Sequence, residues 1–265
     1  MKKITTISSS FTLGIILALS GCGGGVTAES KEGITISGKA IDPYLSGSRV
    51  CLDLNENRSC DTNEPHTTTN EIGDYALDIA LEYHGATHSL LVSGGIDTGT
   101  GEPFTGILTA VKEANQTTQH ITPLSTAVEA RHQYCLEAHD ECQDTMEEIE
   151  SAVADYLNLT ADEIHGDIVE LADNQSDEPL RVALALQICA EHYNHTNPYR
   201  FYEKLVQHDF SGEQSWAEYV ESFIPSSPTI ITAIMGVDTN DLEEVPETDH
   251  TNAHQIAQYA HGLLP

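Results

Sequence analysis

The densest run of oxygen-bearing side chains in the chain begins at Asp53. From there D-L-N-E-N-R-S-C-D-T-N-E runs to Glu64, with Asp53, Asn55, Asn57, Asp61 and Glu64 at its first, third, fifth, ninth and twelfth positions. Ser59 falls at the seventh, where a backbone carbonyl can face inward. A hard cation such as calcium takes six to eight oxygens at roughly 2.3–2.6 Å, and alternate side chains on a tightly turning loop converge on one point. Three carboxylates and two amides also carry enough charge to offset the stripping of water from the ion. The spacing therefore implies calcium, held by Asp53, Asn55, Asn57, Ser59, Asp61 and Glu64. The alternative is a polar surface turn closed by a disulfide, since Cys51 and Cys60 flank most of the same stretch.

One position departs from the twelve-residue loop of EF-hand type. Its sixth residue is normally glycine because the backbone there is left-handed, and here it is Arg58. A side chain in that conformation costs roughly 1–2 kcal/mol, and this one is expected to bring a positive charge near the ion. Affinity is accordingly expected at the weak, extracellular end, on the order of 10⁻⁴–10⁻³ M. A Cys51–Cys60 bond would close a loop of about ten residues, worth roughly 2–3 kcal/mol in the chain-entropy model. It would also hold the strand end near the loop centre, so that less entropy is lost when an ion binds.

The elements that must position this loop differ along the chain. Over residues 33–122 the pattern is that of strands and turns. GITISGKAI alternates Ile34, Ile36, Gly38 and Ala40 against Thr35, Ser37 and Lys39, the period of a half-buried strand. RVCLDL sets Val50, Leu52 and Leu54 on one face and Cys51 with Asp53 on the other. DYALDIA, HSLLVSG and FTGILTAV are further strands, separated by Gly, Asp, Asn and Pro turns. From residue 123 the period becomes helical. Thr122 and Pro123 form a cap and first helical residue, and Leu124, Ala127 and Val128 follow at helical spacing. Asp144 to Glu147 makes a D-x-x-E start for a second helix with Met146, Ile149, Val153 and Leu157 on one face. Thr160 to Glu163 is a capping box for a third, whose stripe is Ile164, Ile168 and Leu171. Leu180, Leu184 and Ile188 mark a fourth, and YRFYEKLV, SWAEYVESF and AHQIAQYA mark shorter ones. The expected class is α+β: a small antiparallel β-sandwich over 33–122, then an α-helical bundle over 123–265.

The chain opens MKKITTISSSFTLGIILALSGCGGG: two lysines, an apolar stretch from Phe11 to Leu19, then small residues before Cys22. That is the layout of a secretory leader over residues 1–21, too short in its apolar core to span a bilayer permanently. LSGC resembles the lipobox of bacterial lipoproteins, which implies lipidation of Cys22; an ordinary leader that contains a cysteine is the alternative. Residues 22–32, with Gly23, Gly24 and Gly25, read as a flexible tether. Acidic residues number 42 against 11 Lys and Arg, a formal charge of −31 that excludes nucleic acid as a partner. Of the six cysteines, Cys51 with Cys60 and Cys135 with Cys142 are the nearest pairs. In one continuous helix Cys135 and Cys142 would stand about 10 Å apart, so a bond between them requires the helix to break around His139 and Asp140. Cys189 lies in LALQICAEHY and reads as a buried free thiol.

The stretch GKAIDPYLSGSRVCLDLNENRSCDTNEPHTTTNEIGDYALDI resembles the start of prealbumin-like β-sandwich modules of bacterial surface proteins. These are the B-type repeats of serine-aspartate-repeat adhesins, the Cna-B-type domains and the carboxypeptidase regulatory-like domains. The shared features are a strand running into D-x-N-x-N-x-x-x-D-x-x-E, then T-x-x-x-G-x-Y-x-L from Thr69 to Leu77. The resemblance covers about residues 33 to 110, and ITPLSTAVEA at 121–130 looks like the start of the helical segment that follows such modules in acidic lipoproteins. It implies a calcium-rigidified, non-catalytic spacer, stalk or adhesive element.

Other chemistry is sparse. GGIDTGTGEPFTG places Asp97 and Glu102 in a glycine-rich loop, a hairpin connection or else a second cation site. His192 with His195, and His250, His254 and His261, are either solvent-facing or a zinc or copper site. No nucleophile elbow, haem-attachment motif or dinucleotide fingerprint occurs. The expectation is a non-enzymatic lipoprotein of the outer membrane or cell surface, facing the periplasm or the exterior. Its lipid anchors it to the membrane, and a protein or surface polymer is its partner. Two alternatives are a ligand- or metal-binding lipoprotein and an accessory subunit of a secreted enzyme or transport complex.

Overall fold

Period-two alternation becomes strands where expected. In the computed structural model, which describes residues 33–138, 142–208, 210, 212, 214–236 and 251–262, β1 (Gly33–Lys39) pairs antiparallel with β5 (Asp74–Ala80). The leader, Cys22, the tether, His139, Asp140 and His250 lie outside the described residues. A four-stranded antiparallel sheet follows the order β4 (His66–Thr68), β3 (Arg49–Asp53), β6 (His88–Ser93), β8 (Ile107–Lys112). β2 (Leu45–Ser46) and β7 (Ile96–Asp97) form a third, two-stranded ladder, and α1 (Leu81–His84) is a single turn after β5. Ile36, Leu77 and Ile79 from the first sheet join Val50, Leu52, Leu90, Val92, Leu108 and Ala110 from the second in one apolar cluster.

The T-x-x-x-G-x-Y-x-L segment works at this level. Thr69 accepts from Ser48 N and donates to Leu45 O, closing the turn into β3. Gly73 has φ +75°, which a side chain would adopt only at a cost, and its carbonyl accepts from Ala40 N. Tyr75 is buried with its hydroxyl on Gln119 O, and Leu77 is in the cluster.

β3, β6 and β8 are buried on both faces, not half-buried as alternation alone implies. The reason is α2 (Pro123–Ala138), which lies over the outer face of the sheet and meets it with short polar side chains. Ser125 Oγ donates to Thr109 O, and Thr109 N donates to Thr126 Oγ1 at 2.9 Å. Thr122 and Ser125 cap the helix reciprocally, each side chain accepting the other's backbone N–H.

The later helices follow the expected stripes with two corrections. α3 (Met146–Leu157) is capped by Thr145 with Glu148, one residue later than the D-x-x-E reading, and it still buries Ile149, Val153 and Leu157. The third helix is two: α4 (Ala161–His165), capped by Thr160 with Glu163, and α5 (Ile168–Asn174). Gly166 takes extended backbone between them, and Asp167 restarts the chain by accepting from Val169 N and Glu170 N. α6 (Glu178–Tyr193) is buried all along residues 179–190, and it carries the free thiol of Cys189, which burial pushes up to about 12. α7 (Tyr199–Leu205), α8 (Trp216–Glu221) and α10 (Thr251–His261) fall on the expected short segments. α9 (Ser227–Gly236) was not expected, because SPTIITAIMG is β-branched and carries no helical signature of its own. Cys135 and Cys142 are bonded with Cα atoms 4.9 Å apart, and α2 ends between them at Ala138.

Strands and helices together make an α+β unit spanning Glu32–Pro265. Ile41 and Tyr44 belong to the helical core, and Tyr44 donates to Asp167 at 2.8 Å. No helix among the described residues is long and apolar enough to cross a membrane.

Two stability tests follow from the buried charges. Glu129 on α2 accepts from Ser89 Oγ (2.8 Å), Thr109 Oγ1 (3.1 Å) and Tyr199 Oη (2.6 Å). Glu129→Ala leaves three buried hydroxyls without this acceptor and is expected to cost about 2–4 kcal/mol, read as a lower urea midpoint. Asp42 is buried, and desolvation first, then Asp97 and Glu191, hold its carboxyl well above the usual carboxylate range. Folding therefore disfavours its charged form, and stability is lost as pH rises from about 4 through the raised pKa. Asp42→Asn should melt with the native chain near pH 3.5 and above it at pH 7; equal melting at both would exclude charge strain at Asp42.

Candidate cation-binding loop

β3 delivers Asp53 to the mouth of the loop, buried on the face opposite Val50 and Leu52. Its Oδ1 accepts from Asn57 N at 3.3 Å and its Oδ2 from Arg58 N at 2.8 Å, so the chain folds back around this carboxylate. Asn55 Oδ1 accepts from Asn57 N, and Asn57 Oδ1 from Ser59 N, two successive side-chain turns of the kind asparagine favours. Glu56 and Arg58 both take left-handed backbone, φ 57° and 59°. The sixth residue thus has the conformation that the twelve-residue register requires, although it is not glycine.

Asn55 and Asn57 point their amide nitrogens at one atom, Asp61 Oδ2, at 2.9 and 3.0 Å. Four expected ligand residues, Asp53, Asn55, Asn57 and Asp61, are therefore gathered, and Ser59 is set by the second turn. Glu64 is buried and differently engaged: Oε1 accepts from Leu54 N at 2.8 Å and Oε2 from Asp61 N at 2.9 Å. It ties the second residue of the loop to the ninth. Among the described residues, the one trio of His, Cys, Asp or Glu ligand atoms within 4.8 Å of one another is Cys135, Cys142 and Asp144, and its cysteines are disulfide-bonded. The loop's convergence is thus one of amides on a carboxylate. Cys51 and Cys60 are bonded with Cα atoms 5.6 Å apart, which pins the loop's eighth residue to β3.

The Arg58 side chain reaches α7. Its guanidinium lies 4.0 Å from the centre of the Tyr199 ring, with Nη1 3.1 Å from Glu203 Oε1, both on α7. Burial, then the neighbouring Glu129 carboxylate, hold the Tyr199 phenol above its ordinary value, so it remains a donor to Glu129. The sequence marked Arg58 only as a departure from glycine. The partner it meets lies more than a hundred residues away and has no local signal, although a lone glutamate between Val128 and Ala130 in an apolar helical stripe hints at a buried acceptor.

The other sequence candidates resolve differently. Asp97 N donates to Glu102 O and Gly101 N to Asp97 O, so GGIDTGTGEPFTG is a hairpin turn. The Asp97 carboxylate accepts from Gly99 N and Thr100 Oγ1, and His261 Nε2 lies 3.5 Å from it. His192 and His195 are exposed, and α10 begins at Thr251, after His250 and ahead of His254.

The left-handed sixth position yields a direct test. Arg58→Gly and Arg58→Ala lose the same contacts to Tyr199 and Glu203, but only glycine relieves the backbone. The glycine variant should be more stable by about 1 kcal/mol in urea unfolding. Equal stability of the two variants would contradict a left-handed residue 58.

No family model, curated protein or solved structure matches this chain, so the role of the loop is read from its residues and their geometry alone.

Proposed function

We propose that this chain is a non-enzymatic, calcium-stabilised lipoprotein of the bacterial cell envelope, held at the outer membrane or cell surface through a lipid on Cys22. In this reading residues 33–122 are a prealbumin-like β-sandwich and residues 123–265 a helical bundle, and the whole serves adhesion, envelope structure or protein interaction. Asp53, Asn55, Asn57, the Ser59 carbonyl, Asp61 and Glu64 would hold the ion, whose charge would offset the repulsion among the three carboxylates.

The observation that supports it most is the convergence of Asn55 and Asn57 on Asp61 beneath a left-handed residue 58. Turning either amide over would present its oxygen toward Asp61 in place of its nitrogen, at the cost of the hydrogen bond that the oxygen accepts from Asn57 N or Ser59 N. Asp53, the disulfide and the Glu64 clamp already hold the loop folded, which lowers the ordering cost of binding. The weak affinity expected for an extracellular site suits a protein exposed to millimolar calcium.

Thermal melts in millimolar calcium and in a chelator test this. Calcium should stabilise the native chain, by about 2.7 kcal/mol once it reaches a hundredfold excess over the dissociation constant. Asp61→Asn keeps the acceptor for both amides but removes a charge, and it should lose most of that response. Identical melts with and without calcium would remove the ion from the account.

A further inference from the structure

Beside Arg58, a cavity of about 260 Å³ opens between α2 and α7. Arg58, Gln133, Tyr134, Arg200 and Gln207 line it, together with the Glu203 and Glu137 carboxylates. Basic residues are scarce in this chain, 11 against 42 acidic ones, yet two guanidiniums face this one space. Both address the same carboxylate: Arg58 Nη1 is 3.1 Å from Glu203 Oε1 and Arg200 Nη1 is 3.0 Å from Glu203 Oε2. A guanidinium carries five N–H donors in a planar fork, so one carboxylate leaves most of the ten unsaturated. The Arg58 fork is held in place by the Tyr199 ring beneath it, whereas the Arg200 side chain is 63% exposed and free to swing onto a ligand.

The rest of the wall is of another kind. The Gln133 and Gln207 amides and the Tyr134 phenol both donate and accept, and the Glu137 carboxylate accepts, a set that meets hydroxyls. The volume, a little under the usual ligand-pocket range of about 300–1,000 Å³, suits one small molecule. We infer that this cavity binds a small hydroxyl-bearing carboxylate of the uronic-acid class. Arg58 and Arg200 clamp its carboxylate, Gln133, Gln207 and Tyr134 meet its hydroxyls, and Glu203 is the internal carboxylate that the ligand displaces. The binding does not require a cation in the loop, although the two places share Arg58.

Isothermal titration of the full chain with glucuronate, in a chelator so that calcium binding by loop or sugar plays no part, tests this. Glucuronate should bind, with glucose and acetate each at least tenfold weaker, because one lacks the carboxylate and the other the hydroxyls. Arg200→Ala, a surface change, should weaken glucuronate at least tenfold. Glu203→Gln should tighten it several-fold by releasing both guanidiniums, a gain that damage to the fold would not produce. Absence of glucuronate binding at millimolar concentration, equal binding of glucose or acetate, or unchanged affinity in both variants would overturn the assignment.

Discussion

A buried carboxylate holds the two halves of this molecule in register. Glu129 accepts hydroxyls from β6, β8 and α7, so one side chain on α2 fixes the sheet beneath it and the helix beside it at once. A charge 2% exposed is tolerated only where its lone pairs are filled, and here hydroxyl donors fill them instead of a paired cation. Tyr199 then carries the arrangement outward: its hydroxyl is on Glu129 and its ring lies under Arg58. The conformation of the acidic loop is in this way connected to the helical core through two aromatic and cationic contacts.

That connection explains why the sixth position of the loop tolerates an arginine. A left-handed residue with a side chain costs roughly 1–2 kcal/mol, and the stacking and ion pair with Tyr199 and Glu203 offset a comparable amount. Glycine would relax the backbone and leave the loop attached to β3, through Cys51–Cys60, the Asp53 carboxylate and the Arg49 guanidinium on Asp61 O, without this tie to α7. The arginine exchanges local strain for a tertiary tether.

The legible features are those with a local cause. Alternation in GITISGKAI and DYALDIA, the Thr160–Glu163 box, and the oxygen ladder from Asp53 each state a preference within about twelve residues, and the structure places strands, a capped helix and a gathered loop there. The disulfide pairs are legible for the same reason, since neighbours in sequence meet at low entropic cost. Features set by a distant element are not. Two-sided burial of β3, β6 and β8 depends on α2 arriving over them, the break at Gly166 on Asp167 being a better cap than the stripe is continuous, and the direction of Arg58 on α7. β2, β4 and β7 are too short for any period to declare itself.

The distribution of charge then gains a physical reading. Acidic excess spread over a surface favours solubility and repels anions at long range, with screening over about 8 Å at physiological ionic strength. Within that distance local groups decide. At the loop, Asp53, Glu56, Asp61 and Glu64 concentrate negative charge, met by the Arg49 guanidinium, whose Nη2 donates to the Asp61 carbonyl at 3.2 Å, while Arg58 pairs with Glu203. Arg58 and Arg200 share the Glu203 carboxylate in a cavity that Glu137 also lines. A single left-handed residue therefore serves two neighbours: its backbone N–H is held by the Asp53 carboxylate of the loop, and its side chain meets Tyr199 and Glu203 on α7. The backbone contact to Asp53 and the side-chain contact to Glu203 are carried by one residue, so loosening either bears on the other, and by linkage the effect is reciprocal.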